Sequence, residues 1–167
     1  LKVKEQEFLT RIAQHKGILF KVSKMYMDNP DDQQDLFQEI VLQLWKAYDS
    51  FKGESQFSTW MYRVAINTAI VFLKKEKRKV AKYDIASDNI KEEESDADEK
   101  ENKLHHFYKA VQQLNKIDKA IIFYQLEGYS HQEIGLNLGI SEGNARVKLN
   151  RAKEKLREII KKQGYGL

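Results

Sequence analysis

The chain has 167 residues, with 29 Lys and Arg against 25 Asp and Glu for a formal charge of +4, and it is 41% hydrophobic and 32% charged. That is the length of one ordinary domain or two small ones, and the composition of neither a membrane protein nor a wholly disordered chain. The absence of cysteine excludes disulfides, thiolate nucleophiles and cysteine-based zinc or iron–sulfur sites. The longest clean apolar run, residues 69–73, falls far short of the roughly 18 residues that span a bilayer. Residues 1–5 have no hydrophobic signal core, so the expectation is a cytoplasmic setting without stable membrane insertion. A single proline and only eight glycines point to helices, because all-β chains need many more turn residues.

Charge is distributed in blocks. Residues 1–83 hold 15 basic and 10 acidic groups, residues 84–103 hold 3 and 9, and residues 104–167 hold 11 and 6. The middle block has almost nothing to bury and repels itself, which predicts a flexible tether. The expected architecture is all-α: a helical module over 1–82, an acidic linker over 83–103 and a second helical module over 104–167.

In chain order, an opening helix carries Phe8, Leu9, Ile12, Leu19, Phe20 and Tyr26 at helical spacing. Asn29 and Pro30, followed by Asp31 and Asp32, form a helix start: a cap, a first-turn proline and acids at the positive end. The helix that follows shows Leu36, Phe37, Ile40, Val41, Leu44, Trp45 and Tyr48 in one stripe. After an interruption at residues 49–54, Ser55 is placed to cap a third helix. This helix has one face of Phe57, Trp60, Met61, Val64, Ala65, Thr68 and Phe72. A second row of Tyr62, Ile66 and Ile70 predicts packing on two sides. It ends in a basic tip from Lys74 to Lys79. In the second module Leu104, Phe107, Val111 and Leu114 mark one helix, and Ile117, Ala120, Ile121 and Tyr124 mark the next. Ser130 and Glu133 form a capping box, and Ser141 caps a last helix running to about Lys162.

Residues 130–156 carry the most specific local signal. A short helix, a turn at Leu138-Gly139-Ile140-Ser141 and a long basic helix make the helix-turn-helix layout, with Ile134, Leu138 and Ile140 pinning the two helices. Ala145, Leu149, Ala152, Leu156 and Ile159 form the buried stripe of the last helix. The opposite face centres on Gly143, Val147 and Asn150, flanked by Arg146 and Arg151, a shape suited to a DNA major groove. The same pattern also fits a small bundle with a solvated charged face. Phe51, Phe57, Trp60 and Tyr62 lie in or just after the loop before the third helix, and the basic tip closes that same helix; aromatics together with basic groups are what single-stranded nucleic acid requires. Phe57 and Trp60 read as core, and Phe51 and Tyr62 stay open.

No catalytic constellation is present. His105 and His106 point about 100° apart on a helix, and His15 and His131 lack partners at ligand spacing. The cluster of Asp31, Asp32 and Asp35 sits where a helix start favours acids. No phosphate loop or serine elbow occurs. The expectation is a non-enzymatic protein without cofactor or metal.

Residues 35–45 (DLFQEIVLQLW), 57–67 (FSTWMYRVAIN) and 128–152 (from Gly128-Tyr129-Ser130 to Arg151-Ala152) together resemble bacterial RNA polymerase sigma factors. They are most similar to the extracytoplasmic-function (ECF) group, which keeps only the second and fourth conserved regions. The resemblance covers residues 8–80 and 104–160, and it implies a transcription initiation factor that directs core polymerase to promoters and helps open DNA. It implies that Asp35, Gln38, Glu39 and Gln43, with Leu36, Ile40 and Leu44 behind, dock on the clamp helices of the largest polymerase subunit, Leu36 counting among the polymerase-binding residues. The second module is expected to meet the flap region.

By the same resemblance, residues 49–56 and the following helix engage the minus-ten element and capture a flipped base. Phe51, Tyr62, Arg63, Asn67, Lys74, Lys75 and Arg78 are the residues concerned. Ser141, Asn144, Arg146, Val147, Lys148, Asn150 and Arg151 are implied to read the minus-thirty-five element. An anti-sigma factor, in the family often membrane-anchored, is the implied regulator. The acidic tether suits a path through a basic polymerase channel, and equally suits keeping two basic modules soluble. Two departures stand out: Val71 where many relatives carry aspartate, and Gly135 where many carry alanine, an exchange expected to cost about 1 kcal/mol of helix propensity. The other readings are a stand-alone helix-turn-helix regulator, which binds a palindrome without polymerase, and a protein-binding adaptor.

Overall fold

The computed structural model describes residues 2–83 and 99–164, with side chains placed for 2–75 and 99–164. These residues form eight α-helices and one 3-10 turn without a strand. They divide into two compact units, Leu1–Lys74 and Lys75–Leu167. The all-α, two-unit architecture expected from the sequence is the one the chain adopts. No helix of the described residues is long and apolar enough to cross a membrane.

The first unit opens with two helices rather than one, α1 (Lys2–Gln14) and α2 (Lys16–Tyr26). The break falls at His15, whose backbone leaves the helical region at φ −117° and ψ 20°. Gly17 weakens the helix there, and the His15 ring leans on Phe57 with centroids 5.7 Å apart. α2 buries Leu19, Val22, Met25 and Tyr26, and the buried Ser23 hydroxyl donates to the Leu19 carbonyl at 2.8 Å.

Helix α3 (Pro30–Ala47) packs on α2 and starts as the sequence predicts. The Asn29 side chain accepts from the Asp32 N–H at 2.8 Å and donates to the Asp32 carboxylate at 2.7 Å. Leu36, Ile40 and Leu44 are its fully buried row. A 3-10 turn, η1 (Tyr48–Ser50), leads to the loop before α4 (Phe57–Tyr83). Ser55 does not cap α4. Its hydroxyl donates to the Gln56 carbonyl at 3.3 Å, and the Trp60 N–H closes the first turn on that same carbonyl at 3.1 Å. Met61, Tyr62, Ala65, Ile66 and Ala69 are the buried positions of α4.

In the second unit, α5 (Glu99–Gln112) begins inside the stretch assigned to the acidic linker. Glu99 and Glu101 belong to its first turn, where the helix end favours anions. The rest of that stretch, residues 84–98, lies outside the described residues. Helix α6 (Lys116–Leu126) is capped by Asn115, whose side chain accepts from the Asp118 N–H and donates to the Asp118 carboxylate, both at 2.9 Å. The Lys155 ammonium of α8 (Glu142–Lys162) reaches the same buried carboxylate at 3.1 Å and ties α8 to α6. Helix α8 packs against α5, α6 and α7 (His131–Leu138).

The turn between α7 and α8 depends on two glycines. Gly139 ends α7 at φ 73°, a left-handed conformation that strains any L side chain. Gly135 faces the turn so closely that a Cβ there would sit 2.7 Å from the Ile140 carbonyl oxygen. The low helix propensity of Gly135 is therefore offset by close packing. Gly135→Ala is expected to lower the melting temperature, although propensity alone favours alanine by about 1 kcal/mol. Gly143→Ala, whose added Cβ would meet nothing within 4 Å, should raise it. Thermal unfolding of both variants by circular dichroism checks the pair.

Candidate functional site

In the second unit the surface of interest is the exposed face of α8. Ser141 caps this helix, accepting from the Asn144 N–H at 3.1 Å, so both residues stand at its solvent-facing N-terminus. Ala145, Leu149 and Ala152 are fully buried and Leu156 nearly so, which fixes the rotation of the helix. That rotation leaves Arg146, Asn150 and Arg151 exposed, Val147 46% exposed and Lys148 half-buried. Arg146 is held by two neighbours: its Nε–H donates to His131 Nδ1 at 3.5 Å, and the Glu142 carboxylate lies 3.7 Å from its guanidinium. The result is a row of donors one helix wide, with an apolar side chain at its centre and an arginine oriented from α7.

In the first unit, α4 presents Arg63, Asn67 and Lys74 as one exposed row, with Val71 52% exposed between them, and Lys75, the next residue of the helix, is exposed as well. Arg63 and Lys74 are eleven residues apart, about 16 Å along the axis. Arg78 continues this helix, and its side chain lies outside the described residues. On α3, Asp35 and Gln38 are exposed, and the Gln43 amide donates to the Glu39 carboxylate at 2.9 Å.

Two residues assigned to contact surfaces are core residues instead. Leu36 is fully buried in the row with Ile40 and Leu44, and Tyr62 is 6% exposed beside Met61 and Ile66. Each is the chain neighbour of an exposed polar residue, Asp35 or Arg63. Phe57 and Trp60, read as core, are only half-buried.

The rings of Phe57 and Trp60 join an aromatic cluster around the loop of residues 49–56. Phe51 meets Phe57 and Trp60 with centroids 5.4 Å apart in each case, and Tyr48 meets Phe57 at 6.4 Å. Phe8 of α1 packs on Tyr48 at 5.1 Å and on Trp45 at 5.0 Å. Lys4 pairs with Asp49 at the loop's start. The Tyr48 hydroxyl has its pKa raised, first by burial and then by donating to the Glu7 carboxylate. The contribution of α1 to this site carries no local signal, because its partners lie some 40 residues on.

The Sigma-70 region 2 family model matches residues 11–79, and the Sigma-70 region 4 model matches residues 105–156. The chain belongs to the ECF sigma factor family. It is 28% identical over 142 residues to the ECF RNA polymerase sigma-E factor of Haemophilus influenzae, covering 78% of this chain and 75% of that one. To its counterpart in Escherichia coli K12 it is 30% identical over 135 residues, covering 74% and 71%. Among solved structures, the sigma factor RpoE of Bartonella quintana, in complex with the anti-sigma factor NepR, has the same fold. Its TM-score is 0.68 at 24% identity, over 96% of this chain and 98% of that one. CnrH, in complex with the cytosolic domain of CnrY, matches with a TM-score of 0.64 at 18% identity, over 94% and 89%. This ECF sigma factor is accordingly an RNA polymerase-binding transcription initiation factor, of a family that is not enzymatic. A stand-alone helix-turn-helix regulator is not favoured, since it has no need of the matched region 2.

The raised pKa of Tyr48 makes the first unit sensitive to alkali. Below the ordinary tyrosine value of 10.0 its contribution to stability is fully present. As pH rises above that value the unfolded chain releases this proton first, and stability is lost. Tyr48→Phe is expected to lower the urea midpoint at about pH 8 but to lose less than wild type on going to about pH 11. Urea titrations at the two pH values decide it.

Proposed function

We propose that this ECF sigma factor brings core polymerase to promoters by reading two DNA elements with its two units and by helping to open the DNA between the strands. The division of labour is residues 1–82 for polymerase docking and the minus-ten element, residues 83–103 as an acidic linker, and residues 104–167 for the minus-thirty-five element. The observation that carries the reading is the exposed face of α8, where Arg146, Val147, Asn150 and Arg151 stand opposite a fully buried alanine and leucine row.

In the major groove Arg146 and Arg151 donate to guanine edges or phosphates, Asn150 pairs with an adenine edge, and Val147 packs on a thymine methyl. Ser141 and Asn144 add donors at the helix N-terminus, and Lys148 meets phosphate from the flank. In the first unit, the loop of residues 49–56 with Phe51 receives an unstacked base of the non-template strand. Arg63, Asn67, Lys74, Lys75 and Arg78 hold that strand's phosphates. Asp35, Gln38, Glu39 and Gln43 of α3 dock on the clamp helices of the largest polymerase subunit, and the second unit meets the flap region. Tyr62 and Leu36 act through the surfaces they support. A promoter opened this way needs no bond chemistry in the chain: captured bases and neutralised phosphates supply the free energy.

RpoE and CnrH were each solved with a protein partner, NepR and the cytosolic domain of CnrY. By likeness an anti-sigma factor is the regulator of this chain, keeping it cytoplasmic or holding it at a membrane.

Co-elution of the purified chain with bacterial core polymerase, followed by transcription from a library of duplex promoter fragments, tests the reading. Stable association and transcripts from a subset of fragments support it. No association, with tight binding of the lone chain to a symmetric duplex, overturns it. Arg146→Ala or Arg151→Ala should cost about 1–3 kcal/mol of promoter affinity and relax selection in the minus-thirty-five element. Lys74→Ala should weaken all promoters alike and reduce the salt slope by about 1.

A further inference from the structure

Arg11 belongs to none of the surfaces described so far. It stands in the last turn of α1, and its guanidinium carbon lies 6.0 Å from the Tyr48 ring centroid, 5.9 Å from Phe51 and 5.2 Å from Phe57. Those three rings are the entry, the interior and the exit of the loop of residues 49–56. They also contact one another through Phe57, so the cation covers a connected aromatic surface rather than three separate rings. Glu7, one turn earlier on α1, holds the guanidinium at 3.1 Å. The same carboxylate accepts from the Tyr48 hydroxyl, which links the cation and the loop's first ring through one acid. Phe57 stands at 88° to Tyr48 and 81° to Phe51, so the guanidinium does not stack on all three rings; its charge, spread over three nitrogens, reaches them together, which a compact lysine ammonium does less well. The Arg11 side chain remains 38% exposed, so the cover is reachable from solvent.

We propose that Arg11 is the positioning residue of this loop: it holds Tyr48, Phe51 and Phe57 as one preformed cradle before DNA arrives. The proposal rests on the reading of residues 49–56 as the element that captures an unstacked base. A loop ordered in advance spares the captured base the entropy of ordering it, so more of the capture free energy is available to open the duplex. Arg11 touches the rings and not the template, and its effect on opening passes through them.

The test uses the full chain bound to core polymerase on two templates. One is a linear duplex promoter that the wild-type holoenzyme transcribes; the other is the same promoter with a non-complementary bubble over the minus-ten element. Arg11→Met keeps the aliphatic stem and removes the cation, Arg11→Lys keeps the charge and removes the plane, and Phe51→Ala alters the loop itself. Strand opening on the duplex is followed by permanganate reactivity of unpaired thymines, and the bubble template, which is open beforehand, is compared with it by the rate of transcript formation. Arg11→Met is expected to open the duplex about fivefold more slowly, with Arg11→Lys in between, while the bubble template restores both to within about twofold of wild type.

A defect of equal size on duplex and bubble, accompanied by weaker core binding, marks a folding role and overturns the proposal. Opening at the wild-type rate by Arg11→Met, with Phe51→Ala slowed, overturns the proposal and leaves the capture reading standing. Wild-type opening by Arg11→Met and Phe51→Ala alike overturns the capture reading and the proposal with it.

Discussion

Both units bury alanine along their helices. Ala65 and Ala69 on α4, Ala110 on α5, Ala120 on α6, and Ala145 and Ala152 on α8 are all fully buried, and α8 packs on α5, α6 and α7. A methyl group lets a neighbouring helix come close, so a small unit can exclude water with few large side chains. The same constraint fixes each helix in rotation. Once Ala145, Leu149 and Ala152 face inward, Arg146, Val147 and Asn150 have nowhere to point but outward. On α4, the inward Met61, Ala65 and Ala69 set Arg63, Asn67 and Lys74 along the opposite side. The exposed donor rows are thus by-products of burial, and a change that rotates either helix displaces a whole row.

That dependence explains which features could be read in the residues and which could not. Periodicity and caps are local, so the stripes of α3 and α8, the Asn29–Pro30 start and the Ser141 cap were legible from neighbours in sequence. Gly135 answers to something beyond propensity, the carbonyl of Ile140, close enough to forbid a Cβ. A propensity scale, which treats a residue as if it met only its own helix, cannot register that contact. The contact of the His15 ring with Phe57 in another helix is equally invisible to local sequence. Asn115 repeats the bonding of Asn29 with an aspartate three residues on. The pattern was visible, but the proline that advertised the first example is absent from the second. Tyr62 and Leu36 show a further limit: an aromatic or apolar residue beside a functional row looks the same in sequence whether it faces the ligand or supports the row from below.

Charge is sorted between the two long helices of the first unit. The exposed residues of α3 include Asp31 and Asp35, with Glu39 half-exposed, whereas the exposed row of α4 carries Arg63 and Lys74. Phosphates are repelled by the first row and attracted by the second, so of these two helices α4 is the one suited to nucleic acid. On α3 the Glu39–Gln43 hydrogen bond holds part of the acidic face in one arrangement. Under the proposed division of labour, polymerase and DNA would then use different faces of this unit. Reversing the sign of Asp35 should therefore do more than weaken a protein contact. It would offer phosphates a second track along α3, and promoter selectivity would fall along with polymerase affinity.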